Sequence, residues 1–70
     1  NPSHGNLNIV NSTGENLNLS IYTMTGQVVH ESNIQTGTST IGLEKLDAGL
    51  YFIRYMIDNQ AVKTGKLIIK

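Results

Sequence analysis

The chain has 70 residues and a formal net charge of zero, with five Lys and Arg against five Asp and Glu. Nucleic-acid binding is therefore not expected, because that function needs a basic surface to displace counterions from phosphate. The absence of Cys excludes a disulfide framework and Cys-based zinc sites, and no apolar run is long enough to span a membrane. A domain this small buries only about 60% of the surface of its unfolded chain, so we expect marginal stability.

The first half of the chain predicts three short strands separated by turn residues. Residues 7–10 form the first strand, and the polar cluster 11–14 is a turn in which Asn and Ser bond their own backbone. Residues 17–23 alternate, which is typical of a strand with one buried and one solvated face. Residues 25–27 read as a tight hairpin turn into a third strand at residues 28–30.

The second half predicts three further strands. Residues 32–39 are polar and read as an exposed loop, residues 40–43 begin a strand, and Leu46 is expected to cover the core from the following turn. The stretch 42–49 allows no more than one helical or 3₁₀ turn. Residues 50–57 carry apolar side chains on both faces, as a central strand does. After a turn at residues 58–59, whose Asp and Asn favour the left-handed backbone conformation, residues 61–70 form the last strand.

Six or seven strands in so short a chain predict one compact antiparallel Ig-like β-sandwich, an all-β domain that spans residues 1–70. The first residues are polar and contain no signal peptide. If the protein is exported, its export signal lies upstream, and we interpret the chain, which begins without Met, as a fragment of a larger protein.

Three segments carry a family resemblance. Residues 21–29 resemble an I-Y-x-x-x-G-x-x-V hairpin with Gly26 and Val28 at its turn and second strand, and residues 46–51 resemble an L-x-x-G-x-Y motif. The ending, an apolar strand between two lysines, resembles the C-terminus of the same family. Together with the opening Asn1-Pro2, these motifs identify the chain as similar to the C-terminal sorting domains of the type IX (Por) secretion system, and we favour the type A form. The residues of the second motif are Leu46, Gly49 and Tyr51.

The resemblance covers essentially the whole chain, with the motifs in the family's order. Two departures concern turns: family members often have Asp near Thr23 and Met24 and Pro near Asp47, and this chain has neither. A structural role can also be predicted for each of three motif residues. Gly26 suits a hairpin that requires positive φ, Gly49 allows a sharp entry into the central strand, and Tyr51 is expected to bury its ring and bond its hydroxyl.

The resemblance implies a secretion signal and not an enzyme. In this family the domain follows a cargo protein, which crosses the periplasm and reaches the outer membrane, the cell surface or the medium. The implied partners are the outer-membrane translocon, shuttle components and a sortase-like peptidase that usually removes the domain. No cofactor and no metal are implied.

The last strand is the element that the family's machinery is expected to read. A terminal strand with free edges can pair with another sheet, and the flanking charges can define the ends of the recognised segment. Edge lysines also serve simply to prevent uncontrolled strand pairing. The candidate recognition residues are Lys66, Leu67, Ile68, Ile69 and Lys70. We predict that deleting them blocks export while the domain still folds.

Two other functions stay open from the sequence. A small carbohydrate-binding or adhesive β-sandwich would need an exposed aromatic platform, but alternation places Tyr51 and Tyr55 in the core and leaves Tyr22 partly exposed. An assembly module would form a homodimer through edge strands. An enzyme is the least supported reading, because His4 and His30 lie beside no nucleophile motif and are expected to be surface residues.

Overall fold

The computed structural model describes residues 2–3 and 5–70, and every regular element within them is a β-strand. No helix in this described part of the chain is able to cross a membrane. The seven strands are β1 (Pro2–Ser3), β2 (Asn6–Asn11), β3 (Leu17–Tyr22), β4 (Val28–Ile34), β5 (Gly37–Gly42), β6 (Gly49–Ile57) and β7 (Gln60–Ile69).

The strands form two sheets. The larger sheet has the order β1-β7-β6-β3-β4, and the smaller sheet pairs β2 with β5. All pairs are antiparallel except β1 with β7. Strand β6 lies between β7 and β3, so it is a central strand of the larger sheet, as expected from the sequence.

The core lies between the two sheets. Alternation along β3 buries Leu17, Leu19 and Ile21, as predicted, and Leu46 packs against the core from the turn that precedes β6. The sandwich prediction is therefore confirmed. The remaining buried apolar residues are Ile9, Ile34, Ile41, Leu43, Tyr51, Ile53, Leu67 and Ile69.

Two hairpin turns use backbone conformations that the sequence predicted. Gly26 has a φ of 91°, and its N–H donates to the carbonyl of Thr23 at 3.0 Å. Asp58 and Asn59 have φ values of 51° and 65°, which is the pair of positive φ angles that a type I′ hairpin turn requires. Both turns set the register of the strands they join.

The prediction of an exposed loop at residues 32–39 is wrong. Strand β4 continues to Ile34, and β5 begins at Gly37, so only two residues connect them. Ile34 pairs with Leu17 and is only 2% exposed, which anchors the end of β4 in the core. The polar residues at this position predicted a loop because β4 is an edge strand. The outer side chains of an edge strand face water and need not be apolar.

The terminal strand also differs from the expectation that its edges are free. One edge of β7 pairs with β6 along its whole length, and the other pairs with β1 at Ile68 and Ile69. Strand β1 was missed by the sequence reading because two residues, one of them Pro, carry no strand signal. Pro at the outer strand of a sheet is tolerated, since no further strand needs its missing N–H.

Candidate functional site

The five residues of the C-terminal segment divide between the two faces of the larger sheet. Leu67 and Ile69 are 2% and 4% exposed and belong to the core. Ile68, 44% exposed, and the exposed Lys66 lie on the opposite, outer face, and Lys70 is exposed just beyond the strand. For residues 66–69, the sequence predicted this division correctly. It means that only part of the segment is accessible to a partner.

The second motif lies beside this segment and has a structural role. Tyr51 pairs with Leu67 and Gly49 pairs with Ile69 across the β6–β7 ladder. Tyr51 is 8% exposed, and its hydroxyl donates to the carbonyl of Asp47 at 2.7 Å. Leu46 closes the preceding turn, since its N–H donates to the carbonyl of Leu43 at 3.0 Å. The expected bond of the Tyr51 hydroxyl is confirmed.

The first motif forms the β3–β4 hairpin, with Gly26 in its turn. The Thr23 N–H donates to the carbonyl of Gln27 at 2.9 Å and closes the turn. Val28 follows, pairs with Tyr22 and is 51% exposed. Because Tyr22 in turn pairs with Phe52, and Phe52 with Lys66, the sheet places residues of the first and last motifs in one row.

The outer face of the larger sheet has an apolar stripe. We define the outer stripe as Ile68, Leu50, Phe52, Tyr22 and Val28, which lie on four adjacent strands. The Tyr22 and Phe52 rings stack with centroids 5.8 Å apart. The guanidinium carbon of Arg54 lies 5.1 Å from the centroid of the Tyr22 ring, within cation–π range.

A cleft of about 500 Å³ opens at the other side of the larger sheet, between β2 and the β6–β7 hairpin. Burial raises the pKa of the Tyr55 hydroxyl at this cleft, because the anion would lose its hydration. The cleft contains no exposed aromatic platform, since Tyr55 is itself half-buried. Among the residues that line it are Leu7, Asn8, Tyr55, Ile57, Val62 and Lys63.

The sequence reading missed Asn11, which it assigned only to a turn. Asn11 is 2% exposed, and its amide donates to the carbonyls of Glu15 at 2.7 Å and Ile34 at 3.1 Å. Its side-chain oxygen accepts from the N–H and the hydroxyl of Thr13 at 3.1 and 2.7 Å. This fully bonded amide ties the β2–β3 turn to the end of β4. No sequence signal separates it from an ordinary turn Asn.

The histidines do not form a catalytic or metal-binding group that the structure describes. His30 is half-buried and its ring lies 2.5 Å from the Ser32 hydroxyl, whereas His4 lies outside the described residues. Within residues 5–70, no three side chains of the types His, Cys, Asp and Glu come close enough to share a metal ion.

A comparison with models of known protein families assigns the chain to one of them. The family model described as the secretion system C-terminal sorting domain matches residues 1–70. The chain belongs to this family. No curated protein and no solved structure matches it.

As a member of this family, the domain is a C-terminal sorting signal for type IX secretion. It interacts with the secretion machinery and marks a protein for export to the cell surface or the extracellular space. The resemblance seen in the motifs is thereby confirmed across its whole length. The match supports the sorting function and lends no support to the carbohydrate-binding alternative.

Proposed function

We propose that the export machinery reads this sorting domain at its terminal strand, through outward side chains and an open backbone edge. The outward side chains are those of Lys66, Ile68 and Lys70. The partners are the outer-membrane translocon and its shuttle and sortase-like components, which the domain meets in the periplasm. The domain acts without a cofactor and catalyses no reaction itself.

The observation that carries this proposal is the division of the terminal segment between two faces. Leu67 and Ile69 fill the core and hold the strand in register. That leaves Ile68, 44% exposed, between two lysines as the accessible part of the segment. A receptor can therefore bind one apolar side chain flanked by positive charges without unfolding the domain.

The backbone edge offers a second means of recognition. In the described residues, β1 pairs with β7 only at Ile68 and Ile69, so β7 keeps an open edge from Gln60 to Leu67. An extended partner strand can add to such an edge by backbone hydrogen bonds. The same edge would serve a homodimer, and sedimentation of the isolated domain at increasing concentration distinguishes the two.

The experiment is an export assay of a fluorescent reporter that carries a signal peptide at its N-terminus and this chain at its C-terminus. We expect the reporter at the surface or in the medium of a host with a type IX system, and in the periplasm of a translocon-null strain. Retention of a folded fusion in the periplasm of both strains would refute the proposed function.

The structure changes how the terminal strand should be tested. Deletion of residues 66–70 removes Leu67 and Ile69 from the core, so the truncated domain is not expected to fold, contrary to the sequence-based prediction. The better variant replaces only Lys66, Ile68 and Lys70 with Ser. We expect this variant to stay folded and to remain in the periplasm.

A matched control keeps this test specific. Lys45 is exposed in the turn before β6, and Val10, 73% exposed, lies on β2 of the smaller sheet. Replacement of both by Ser changes similar side chains away from the proposed recognition residues and from the open edge of β7. Equal loss of export in the control and in the terminal variant would show that export is sensitive to any surface change, and would remove the support for reading at the outward side chains of β7.

A further inference from the structure

The outer face of the larger sheet has no second layer in the described part of the chain, because the smaller sheet packs against the inner face. Apolar side chains nevertheless continue across it. Val28 and Ile68 at the two ends of the outer stripe are 51% and 44% exposed, and the three residues between them are half-buried. The four adjacent strands span about 14 Å, because neighbouring strands lie about 4.8 Å apart.

Folding alone does not account for this stripe. The core-facing partners of the same strands already fill the space between the sheets. The outward positions on β4 and β7 next to the stripe are polar, as in Glu31 and Thr64. A continuous apolar row within such a polar face is typical of an interaction site.

The charges beside the stripe are mainly positive. Arg54 and Lys66 are exposed on this face, and the acid there, Glu31, accepts a hydrogen bond from Ser20 at 3.4 Å. With two cations and one acid on this face, a second copy turned face to face would leave an excess of positive charge in the contact. Charge complementarity instead favours a partner with carboxylates around an apolar centre.

The shape of the stripe favours a protein over a sugar. A sugar ring stacks on a flat exposed aromatic face, whereas the Tyr22 and Phe52 rings are half-buried and inclined to each other by 30°. Aliphatic side chains of Leu50 and Ile68 lie beside them. Such a surface accommodates apolar side chains of another protein.

We propose that the outer stripe, with Arg54 and Lys66, is a docking surface for a protein that presents apolar side chains surrounded by carboxylates. This inference rests on the proposed function, since the partner belongs to the export machinery. It extends recognition from the terminal strand to the β3–β4 hairpin, because Val28 is on the same face as Ile68 although the two are far apart in sequence.

The test changes only residues outside the terminal segment. The export reporter carries Val28→Glu with Arg54→Glu, and its control carries Val10→Glu with Lys45→Glu, which lie away from the open edge of β7. The two valines are 51% and 73% exposed, and both pairs change one exposed cation to an acid. Urea unfolding of each isolated domain verifies that the two variants are equally folded.

We expect export of the outer-face variant to fall about tenfold, the factor by which a loss of about 1.4 kcal/mol weakens binding, while the control is exported normally. Because Arg54→Lys keeps the positive charge, it should retain export that Arg54→Glu alone loses. Normal export of a folded outer-face variant would overturn the docking surface and leave the proposed function intact. Failure of the unchanged domain to direct translocon-dependent export would overturn both.

Two binding experiments address the other occupants of this face. A dimer of the unchanged domain that disappears with Val28→Glu and Arg54→Glu in sedimentation velocity would assign the stripe to a second copy and overturn the proposal. Binding of soluble polygalacturonate that depends on Arg54 but not on Lys45 would assign it to an acidic glycan, with the same consequence. Monomeric, non-binding domain together with loss of export supports the proposed protein partner.

Discussion

The two faces of the larger sheet are built from the same strands but have different neighbours. The inner face packs against β2 and β5 and buries side chains almost completely, as at Leu19 and Ile21, which are 0% exposed. The outer face holds a second apolar row that is only half-buried. Alternation along each strand therefore lets one short sequence specify both a core and the outer face that we propose as a docking surface, since neighbouring residues point to opposite sides.

This comparison predicts the largest stability difference between two adjacent residues of β7. Leu67→Ala removes a core side chain that is 2% exposed and should cost about 2–5 kcal/mol. That is a large part of the total stability of a domain of this size, about 4–10 kcal/mol. Ile68→Ala, on the outer face, should change stability by about 0.5 kcal/mol. Urea unfolding measures both, and similar losses would contradict the separation of the two faces.

A polar pair tests the same contrast with a smaller effect. Asn11→Ala leaves the buried carbonyl of Ile34 without its donor and should cost about 1–3 kcal/mol. Asn33→Ala, at an exposed position on the outer side of β4, should stay within about 0.5 kcal/mol of the unchanged domain. Thermal or urea unfolding compares the two variants. A harmless Asn11→Ala would mean that the Asn11 bonds do not stabilise the turn.

The smallest expected effect is a pH dependence at the cleft. Burial raises the pKa of Tyr55 above its ordinary value of 10.0, so at high pH the unfolded chain loses this proton before the folded domain does. The contribution of Tyr55 to stability is therefore complete below pH 10 and declines as the pH rises through the folded-state pKa. We expect Tyr55→Phe to lose stability less steeply than the unchanged domain between pH 9 and pH 11. If the free energy of unfolding, measured with urea, falls equally steeply with pH in both proteins, the burial of Tyr55 does not cause the pH dependence.

Much of the fold could be predicted from the sequence because its signals are local. The alternation in residues 17–23 and 50–57 predicted which side chains enter the core, and Gly26 and Asp58-Asn59 predicted the turns. Residues 32–39 could not be read correctly, since polar side chains on an edge strand resemble those of a loop. Ile34, the residue that fixes β4 in the core, gives no periodic signal by itself.

The candidate site was predictable in part for the same reason. The alternation of Leu67, Ile68 and Ile69 indicated which positions of the terminal strand face outward. The pairing of β1 with Ile68 and Ile69 was not predictable, because a two-residue strand carries no pattern. The buried role of Asn11 depends on a carbonyl 23 positions away in sequence, which no local pattern reveals.

By itself, the sequence determined the strand character of the chain, the residues that face the core and the family to which the motifs belong. These properties follow from backbone preferences and alternation, which depend on neighbours in the chain. Only the tertiary structure decided that Val28, Tyr22, Phe52, Leu50 and Ile68 form one surface. The order of strands in a sheet and their register depend on contacts between distant segments, and those contacts alone bring the first and last motifs onto the same face.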